Sequence, residues 1–392
     1  MSEILAKIED AVVIASGWQP NISKIENSTL VSHETHSQTI HERVIICDKG
    51  SAEKIGNKSS LVSEILSPAT HCKFTNQKSH VEMVLNWCKS NLLNDGKTIA
   101  VRCSKIGVKV NGWSGRTLEQ EIGGKLFESG WQINLTKPDI TLRVIAVNHE
   151  GIEPNKPSND DPALIWGVKR NGQSTWDDRT APKRPFFKPI SLDPRLARSM
   201  VNISCPEGGK FLDPFCGTGG ILLEASEVGL QVYGSDADSR MVEGSKENLQ
   251  WSLEKQNMSG VAEVRRCSAT KLNQNWGDIA PFDGFAFDPP YGLNSWKSDD
   301  GFQLLEDALR SCAEVATENA KLTALLPLPP SALSLDLLGK DMDNPDGFTF
   351  GKQWNEVVRK INQSGWEIDN FTTIPVHRSL ARLLIVCKRN SS

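Results

Sequence analysis

Two acidic residues of the C-terminal half each begin a turn of unusual composition. Asp213 begins the segment "DPFCGTGGILLEA", and Asp288 begins the segment "DPPYG". Each acid follows a strand-like run, "KFLD" in the first case and "FDGFAFD" in the second. Glycines allow the backbone to approach a bound group closely, whereas two successive prolines make a turn rigid. The two segments therefore combine a turn suited to ligand binding with a turn suited to holding a polar substrate group.

The glycine turn at 213–220 is typical of a site for a nucleoside with a negative tail. The N–H groups at the helix start, around Thr218–Ile221, would face a carboxylate or phosphate. The pattern is neither G-x-G-x-x-G nor G-x-x-x-x-G-K-[ST]. Asp236 ends the next strand-like run, about twenty residues on, where a carboxylate can accept both ribose hydroxyls. The structural alternatives are a turn whose glycines serve packing, and Asp236 as a helix N-cap.

The acid–Pro–Pro–Tyr turn is suited to an exocyclic amine. The carboxylate of Asp288 and the carbonyl of Pro289 can each accept one N–H, which would orient the nitrogen lone pair. Tyr291 would stack on the base that carries the amine. A rigid turn that only ends a strand is the alternative. We expect its strand beside the strand of Asp213, so that both turns lie on one rim of a sheet and act together.

Strand-like and helix-like runs alternate from about residue 190 onward, which predicts an α/β fold with a parallel, doubly wound sheet. Two final strand-like runs, at 366–376 and 382–389, are predicted to pair antiparallel. The other predicted strands are 210–213, 231–236, 262–269, 282–288 and 321–327, and the predicted helices are 218–228, 238–255, 301–319 and 350–364.

The N-terminal half predicts small α+β or α/β units. Its clearest patterns are a strand at 97–107, an amphipathic helix at 115–130 and a strand at 139–147. The stretches 148–162 and 176–189 are rich in Pro or Asn and lack periodicity, which predicts a linker. Seven basic residues could follow phosphates, although a solvated charged surface is the alternative for each. They are Arg102, Lys105, Lys109, Arg116, Arg179, Lys183 and Arg184.

The composition is that of an ordinary globular protein: 392 residues, 38% hydrophobic, 23% charged, with a net charge of −4. The nine cysteines include no CxxC pair, which argues against a zinc ribbon, and we expect no metal site. The sequence has no apolar run of membrane-spanning length and no signal-peptide pattern. We therefore expect a cytoplasmic protein without membrane contact, and a monomer.

These motifs resemble the class I S-adenosylmethionine-dependent methyltransferases that modify exocyclic amines through an [N/D]PP[Y/F] turn. The set "DPFCGTGGILLEA", "GSDAD" and "DPPYG" is similar to the THUMP-containing tRNA guanine-N2 methyltransferases, especially the archaeal enzymes that mono- and dimethylate guanine 10. The resemblance extends over most of the chain, with a matching segment at 188–204 before the sheet and another at 376–386 in its closing hairpin.

The resemblance implies four parts of the chain. These are a ferredoxin-like domain at 1–65, a THUMP-like RNA-binding domain at 66–148, a linker at 149–187 and a methyltransferase domain at 188–392. The last would be a class I, Rossmann-like methyltransferase sheet that ends in an antiparallel hairpin.

The resemblance also implies roles for individual residues, with S-adenosylmethionine as the cofactor. Its methionine part would contact Asp213, Phe215, Gly217, Thr218 and Gly219, its ribose Asp236, and its adenine the segment with Ser268 and Ala269. The target base would contact Asp288, Pro289 and Tyr291, with Asp288 also beside the cofactor, and His377 and Arg378 are candidates for a substrate contact or for hairpin packing. The family usually has an acid where this chain has Ser268, and an uncharged oxygen is the weaker acceptor, so cofactor affinity is expected to be lower.

The implied activity is direct in-line methyl transfer to guanine N2 in tRNA, with a small activating protein as a possible further partner. Cys216 would be a packing residue and not a nucleophile, because the sulfonium is already electrophilic. Three alternatives stay open: N2 methylation at another tRNA or rRNA site, adenine-N6 methylation of DNA or RNA, and a non-catalytic RNA-binding protein.

Overall fold

The structure is a computed structural model. It describes residues 10–31, 37–148, 162–170, 176–189, 191–256, 260–290, 299–328, 338–339, 349–377 and 380–390. By its backbone contacts the chain divides into two compact units. The first comprises Met1–Lys24, Val31–Asn57 and Leu61–Gln173, and the second comprises Ile25–Leu30, Lys58–Ser60 and Ser174–Ser392.

One eight-stranded sheet forms the first unit within the described residues, with the strand order β2-β3-β1-β4-β8-β7-β5-β6. Its strands are β1 (Asp10–Ala15), β2 (Gln38–His41), β3 (Val44–Asp48), β4 (Val62–Lys73), β5 (Thr98–Gly107), β6 (Gln132–Ile133), β7 (Ile140–Asn148) and β8 (Ala163–Lys169). The helices in this part of the chain are α1 (Pro20–Leu30), α2 (Lys49–Lys58), α3 (Gln77–Asn91) and α4 (Gly115–Glu128). The predicted elements at 97–107, 115–130 and 139–147 are therefore confirmed as β5, α4 and β7.

The sheet differs from the predicted division of the N-terminal half. Strand β4 crosses the predicted boundary between residues 65 and 66, and one sheet extends over both predicted domains. Strand β8 lies inside the predicted linker 149–187 and pairs antiparallel with both β4 and β7. It buries Leu164, Ile165 and Trp166 completely or nearly so. The apolar run of β8 is thus a central strand, and the linker prediction is wrong for this segment.

The second unit contains the predicted doubly wound sheet, with the strand order β11-β10-β9-β12-β13-β16-β15-β14. Its strands are β9 (Lys210–Asp213), β10 (Gln231–Asp236), β11 (Ala262–Arg266), β12 (Phe282–Phe287), β13 (Ala316–Leu328), β14 (Leu338–Gly339), β15 (Trp366–His377) and β16 (Leu380–Arg389). Its helices are α5 (Pro194–Ser204), α6 (Gly220–Glu227), α7 (Ser239–Gln256), α8 (Leu272–Trp276), α9 (Asp299–Glu314) and α10 (Trp354–Gln363), with two 3-10 turns at Asp177–Arg179 and Ala181–Lys183.

The strand pairing of this second sheet confirms the prediction. Strands β11, β10, β9, β12 and β13 are parallel, whereas β16 pairs antiparallel with both β13 and β15. The strand order reverses between β9 and β12, which is the point where ligands bind in open α/β sheets. The apolar run at the end of β12 is fully buried, as expected of a central parallel strand covered on both faces.

Aromatic side chains fill the core of the second unit beside this reversal. Phe282 packs edge-on against Tyr233 and Phe285, and Phe285 packs edge-on against Trp366, with ring centroids 5.4–6.1 Å apart. Such contacts fix β12 against β10 and β15, so the end of β12 is held firmly. Among the described residues, no helix combines the length and the apolar character needed to cross a membrane.

Candidate active site

The two predicted turns lie on one rim of the second sheet. Strand β9 is parallel to β12, with Phe211 opposite Gly284 and Leu212 opposite Phe285. Asp213 therefore ends its strand next to the end of β12, where Asp288 follows. The rings of Phe215 and Phe287 lie 5.5 Å apart and join the two turns. The expectation that the acids share a rim is confirmed.

The glycine turn has the backbone shape that its sequence predicts. Gly217 and Gly219 adopt positive φ angles of 51° and 79°, which favour glycine. A Cβ on Gly219 would lie 2.5 Å from the Ser245 hydroxyl, whereas a Cβ on Gly217 would meet only the Phe215 carbonyl, at 3.9 Å. The turn is thus closed toward α7 and open at Gly217, which gives a ligand room to approach the backbone.

The Asp213 side chain stabilises the backbone of the glycine turn. Its carboxylate accepts a hydrogen bond from the Phe215 N–H at 3.0 Å, and the residue is only 1% exposed. Burial raises the pKa of this carboxyl well above its usual range, and the nearby charges of Asp236 and Asp288 raise it further. Asp213 is therefore placed to hold the turn, with little of its surface open to a ligand.

Asp236 connects the glycine turn to the start of α7. One carboxylate oxygen accepts the Gly217 N–H at 3.0 Å, and the other accepts the Asp238 N–H at 2.9 Å. The helix-capping role considered for Asp236 belongs to Asp238, whose carboxylate accepts the Arg240 N–H and whose carbonyl accepts the Met241 N–H. Asp236 is half-buried, so part of its carboxylate is accessible at the end of β10.

The segment after β11 is tied to the same rim. The Cys267 N–H donates to the Asp236 carbonyl at 3.1 Å. Ser268 is exposed and its hydroxyl lies 2.9 Å from that of Thr270, while Ala269 is buried. A ligand that binds Asp236 through a ribose would bring its base toward Ser268.

Asp288 has a partner that the sequence did not suggest. Its Oδ1 accepts a hydrogen bond from Arg382 Nη1 at 2.7 Å, and its side chain is 24% exposed. Burial raises the pKa of this carboxyl to about 6, although Arg382 acts in the opposite direction. Pro289 is buried and Pro290 exposed, whereas Tyr291 lies outside the described residues. The sequence did contain a clue that we did not use. Arg382 is a charged side chain within the apolar run "LARLLIV", and a buried charge needs a polar partner.

The rim fits a nucleoside with a charged tail. It offers an open glycine, carboxylates at the ends of β10 and β12, and an exposed hydroxyl after β11. Among the described residues there is no group of three side chains that could hold a metal ion. Cys216 is buried, which raises the pKa of its thiol well above the usual range, so the thiol is a packing group and a poor nucleophile.

Two of the predicted phosphate contacts are corrected by the structure. Arg179 is 8% exposed and binds Glu224 at 2.9 Å, and Arg184 is 3% exposed and donates to the Arg179 carbonyl. Both belong to a segment that lies across α6 and α7. Asn248 of α7 fixes this segment by accepting the Phe186 N–H and donating to its carbonyl.

The other basic residues are placed differently. Lys183 is exposed in the second unit. In the first unit Arg102 is half-buried and donates to the carbonyls of Val101 and Leu135. Lys105, Lys109 and Arg116 are exposed, Arg378 lies outside the described residues, and of His377 only the backbone is described.

The chain is similar to named tRNA methyltransferases over about half of its length. It is 36% identical over 203 residues to a tRNA (guanine(10)-N2)-dimethyltransferase of Pyrococcus abyssi, which covers 51% of this chain and 55% of the relative. It is 32% identical over 234 residues to that of Methanocaldococcus jannaschii, covering 58% of this chain and 61% of the relative. The chain thus spans only a little over half of these curated relatives.

A solved structure and two family models complete the comparison. The crystal structure of TrmN from Thermus thermophilus covers 97% of this chain and is itself covered completely, with a TM-score of 0.51 and 14% identity, so the fold is shared. The model of the RMKL-like methyltransferase domain matches residues 182–328. The model of the DNA methylase family N6_N4_Mtase matches residues 24–247, more than half of the chain, and the chain therefore belongs to this methylase family.

Proposed function

We propose that this protein transfers methyl groups from S-adenosylmethionine to N2 of guanine 10 in tRNA, giving the mono- and the dimethylated base. The observation that carries the proposal is the placement of Asp288, one oxygen of which is bound by Arg382, at the rim that holds the glycine turn. The name of the archaeal relatives, tRNA (guanine(10)-N2)-dimethyltransferase, supports the choice of substrate.

The cofactor would be held by the turn and by two neighbouring strand ends. The methionine part would lie against Phe215, Gly217, Thr218 and Gly219, where Gly217 is open. Its ribose would be bound by Asp236, and the adenine would face Ser268 and Ala269. Bound S-adenosylmethionine supplies an electrophilic methyl group. The protein contributes position, because a fixed donor and acceptor remove much of the entropic barrier to transfer.

The amine would be bound by the acid–Pro–Pro–Tyr turn. Asp288 Oδ2 and the Pro289 carbonyl each accept one N–H, so that the nitrogen lone pair points along the rim toward the glycine turn. The new N–C bond would form as the S–C bond of the sulfonium breaks and leaves a neutral thioether. The positive charge that develops on the nitrogen would be stabilised by the Asp288 carboxylate, which would also accept the released proton. Tyr291 would stack on the base after its extrusion from the paired stem.

The first unit would bind tRNA as a THUMP-like module. Lys105, Lys109 and Arg116 would contact phosphates, since they are exposed cations of this unit. Lys183 of the second unit is also exposed and is a candidate for the same role. The same proposal includes three predictions: that the protein is a monomer, that it is cytoplasmic, and that a small protein partner activates it.

Incubation of unmodified tRNA transcripts with methyl-labelled cofactor, followed by nucleoside mass spectrometry and position mapping, tests the proposal. We expect N2-methylguanosine and N2,N2-dimethylguanosine at position 10, and no product from a transcript with inosine there, which lacks the N2 amine. Because the family model is described as a DNA methylase, a duplex DNA substrate is the matched comparison. Methyladenine in DNA or RNA, with unmodified guanine 10, would contradict the proposal.

A further inference from the structure

Arg382 reaches the candidate site from a strand that is not adjacent to it. It lies on β16, opposite Pro327 near the end of β13, and β13 separates β16 from β12. Its guanidinium extends across the end of β13 to Asp288, and its side chain is 17% exposed. Its neighbours Ala381 and Leu383 are fully buried. A partly buried cation between apolar neighbours is costly unless a specific partner binds it, and here that partner is Asp288.

The ion pair uses one carboxylate oxygen only. Nη1 of Arg382 binds Oδ1 of Asp288, and within the described part of the chain no side chain or backbone group bonds to Oδ2. A carboxylate fixed at one oxygen by a charged donor has a defined plane, so the lone pairs of the other oxygen point in a defined direction.

We propose that Arg382 is a positioning residue for methyl transfer, which binds Oδ1 of Asp288 and thereby aims Oδ2 at an N–H of the substrate amine. The inference rests on the proposed function, because it assumes that an amine is the substrate group. According to this proposal, methyl transfer requires a cation on β16 in addition to the acid–Pro–Pro–Tyr turn.

The charges around Asp288 make this positioning sensitive to pH. Arg382 of β16 lowers the pKa of Asp288, and the charges of Asp288 and of Asp236 on β10 raise the pKa of the neighbouring Asp213 on β9. Burial raises the pKa of both carboxyls, and Arg382 opposes the rise at Asp288. Removal of Arg382 therefore raises the pKa of Asp288 above about 6. A protonated carboxyl is the poorer acceptor, so activity moves to higher pH.

The test compares Arg382→Gln and Arg382→Lys with the wild-type protein, by single-turnover methylation of tRNA between pH 5.5 and 9.5. We expect the acid limb of the wild-type rate near pH 6 and a shift upward by about 1–3 pH units in Arg382→Gln. Its plateau at high pH should stay below the wild-type value, because Oδ2 of Asp288 is no longer held toward the amine. Arg382→Lys keeps the charge without the planar fork, so its limb should stay near pH 6 while its plateau falls.

A second measurement does not depend on turnover. The infrared band of the protonated Asp288 carboxyl, assigned by subtraction of Asp288→Asn spectra, should titrate at higher pH in Arg382→Gln than in the wild-type protein. A wild-type protein that methylates no guanine would contradict the proposed function, while this titration would still test the pair. Equal titration midpoints, a rate loss in Arg382→Gln without a shift of its acid limb, or an Arg382→Gln plateau equal to the wild-type value would overturn the positioning role.

Discussion

Two arginine–carboxylate clusters in the second unit use the same chemistry for different ends. Glu224 of α6 is fully buried and accepts from Arg179 and from Arg198 of α5, each at 2.9 Å, so both of its oxygens are occupied. Asp288 is partly exposed and accepts from Arg382 through one oxygen. The first cluster leaves no lone pair directed at a ligand, whereas the second does. Free acceptor capacity at a partly exposed rim, more than the presence of an ion pair, distinguishes a candidate site from a structural bridge.

The two clusters also differ in what surrounds their charged groups. Arg179 and Arg198 both lie over the ring of Trp176, 4.8 and 5.4 Å from its centroid, which adds a cation–π contact to the charge pairing. Under the proposed function, Asp288 must instead remain able to exchange a proton and to receive a substrate. We therefore expect mutations at Glu224 to affect stability and mutations at Asp288 to affect turnover.

The largest effect is expected for Glu224→Gln. The change removes the buried charge that Arg179 and Arg198 share, and only Arg179 keeps a second carboxylate nearby, Glu227 at 3.6 Å. Breaking a buried pair in this way costs about 3–5 kcal/mol of unfolding free energy. Urea unfolding followed by fluorescence measures it. Glu227→Gln is the control, since Glu227 is more exposed and lies 3.6 Å from Arg179, and its loss should be about 1 kcal/mol or less. Equal losses in the two variants would contradict the distinction.

Asp288→Asn should have the opposite profile. The amide keeps the size of the side chain but removes the negative charge that would stabilise the developing cation, so the methylation rate should fall by about 10²–10³-fold. The urea midpoint should fall less than in Glu224→Gln, because the amide oxygen of Asn can still accept from Arg382, which is 17% exposed. The affinity for S-adenosylmethionine, measured by calorimetry, should change less than the rate.

Asp278→Asn supplies the matched control for that variant. Asp278 also forms an aspartate–arginine pair, with Arg265 at 2.8 Å, but its side chain is 62% exposed. Its replacement should leave the methylation rate unaffected. A normal rate in Asp288→Asn would remove this carboxylate from the mechanism.

A smaller effect is expected at the adenine end of the rim, where Ser268→Asp should tighten cofactor binding. A charged acceptor binds an amine more strongly than a hydroxyl does, by about 1 kcal/mol, or roughly fivefold in affinity. Thr270→Asp, which adds the same charge two residues away, is the control. Titration calorimetry with S-adenosylmethionine decides the matter, and no gain in Ser268→Asp would mean that this serine does not face the adenine amine.

The sequence was most informative where local pattern and position in the sheet agree. The placement of Asp213 beside β12 follows from strand–helix alternation, which the structure confirms. The sequence was least informative where a side chain's role depends on a partner distant in the chain. Arg382 lies 94 positions from Asp288. Arg179 was predicted to contact phosphates because it lies in a proline-broken segment without periodicity. In the structure it is buried and forms an ion pair with Glu224. Strand β8 was hidden between two such irregular segments.

The smallest effects are expected in the first unit, where the predicted contacts are exposed and singly weak. Lys105→Ala and Lys109→Ala should each weaken tRNA binding and reduce the slope of log affinity against log salt concentration by about one, if each lysine contacts a phosphate. Lys89→Ala, an exposed lysine of α3 outside the predicted set, is the control and should leave the slope unchanged. Filter binding over a range of salt concentrations measures the slope. If all three variants behave alike, the effect comes from net charge, and the RNA contacts of this unit must lie elsewhere on its surface.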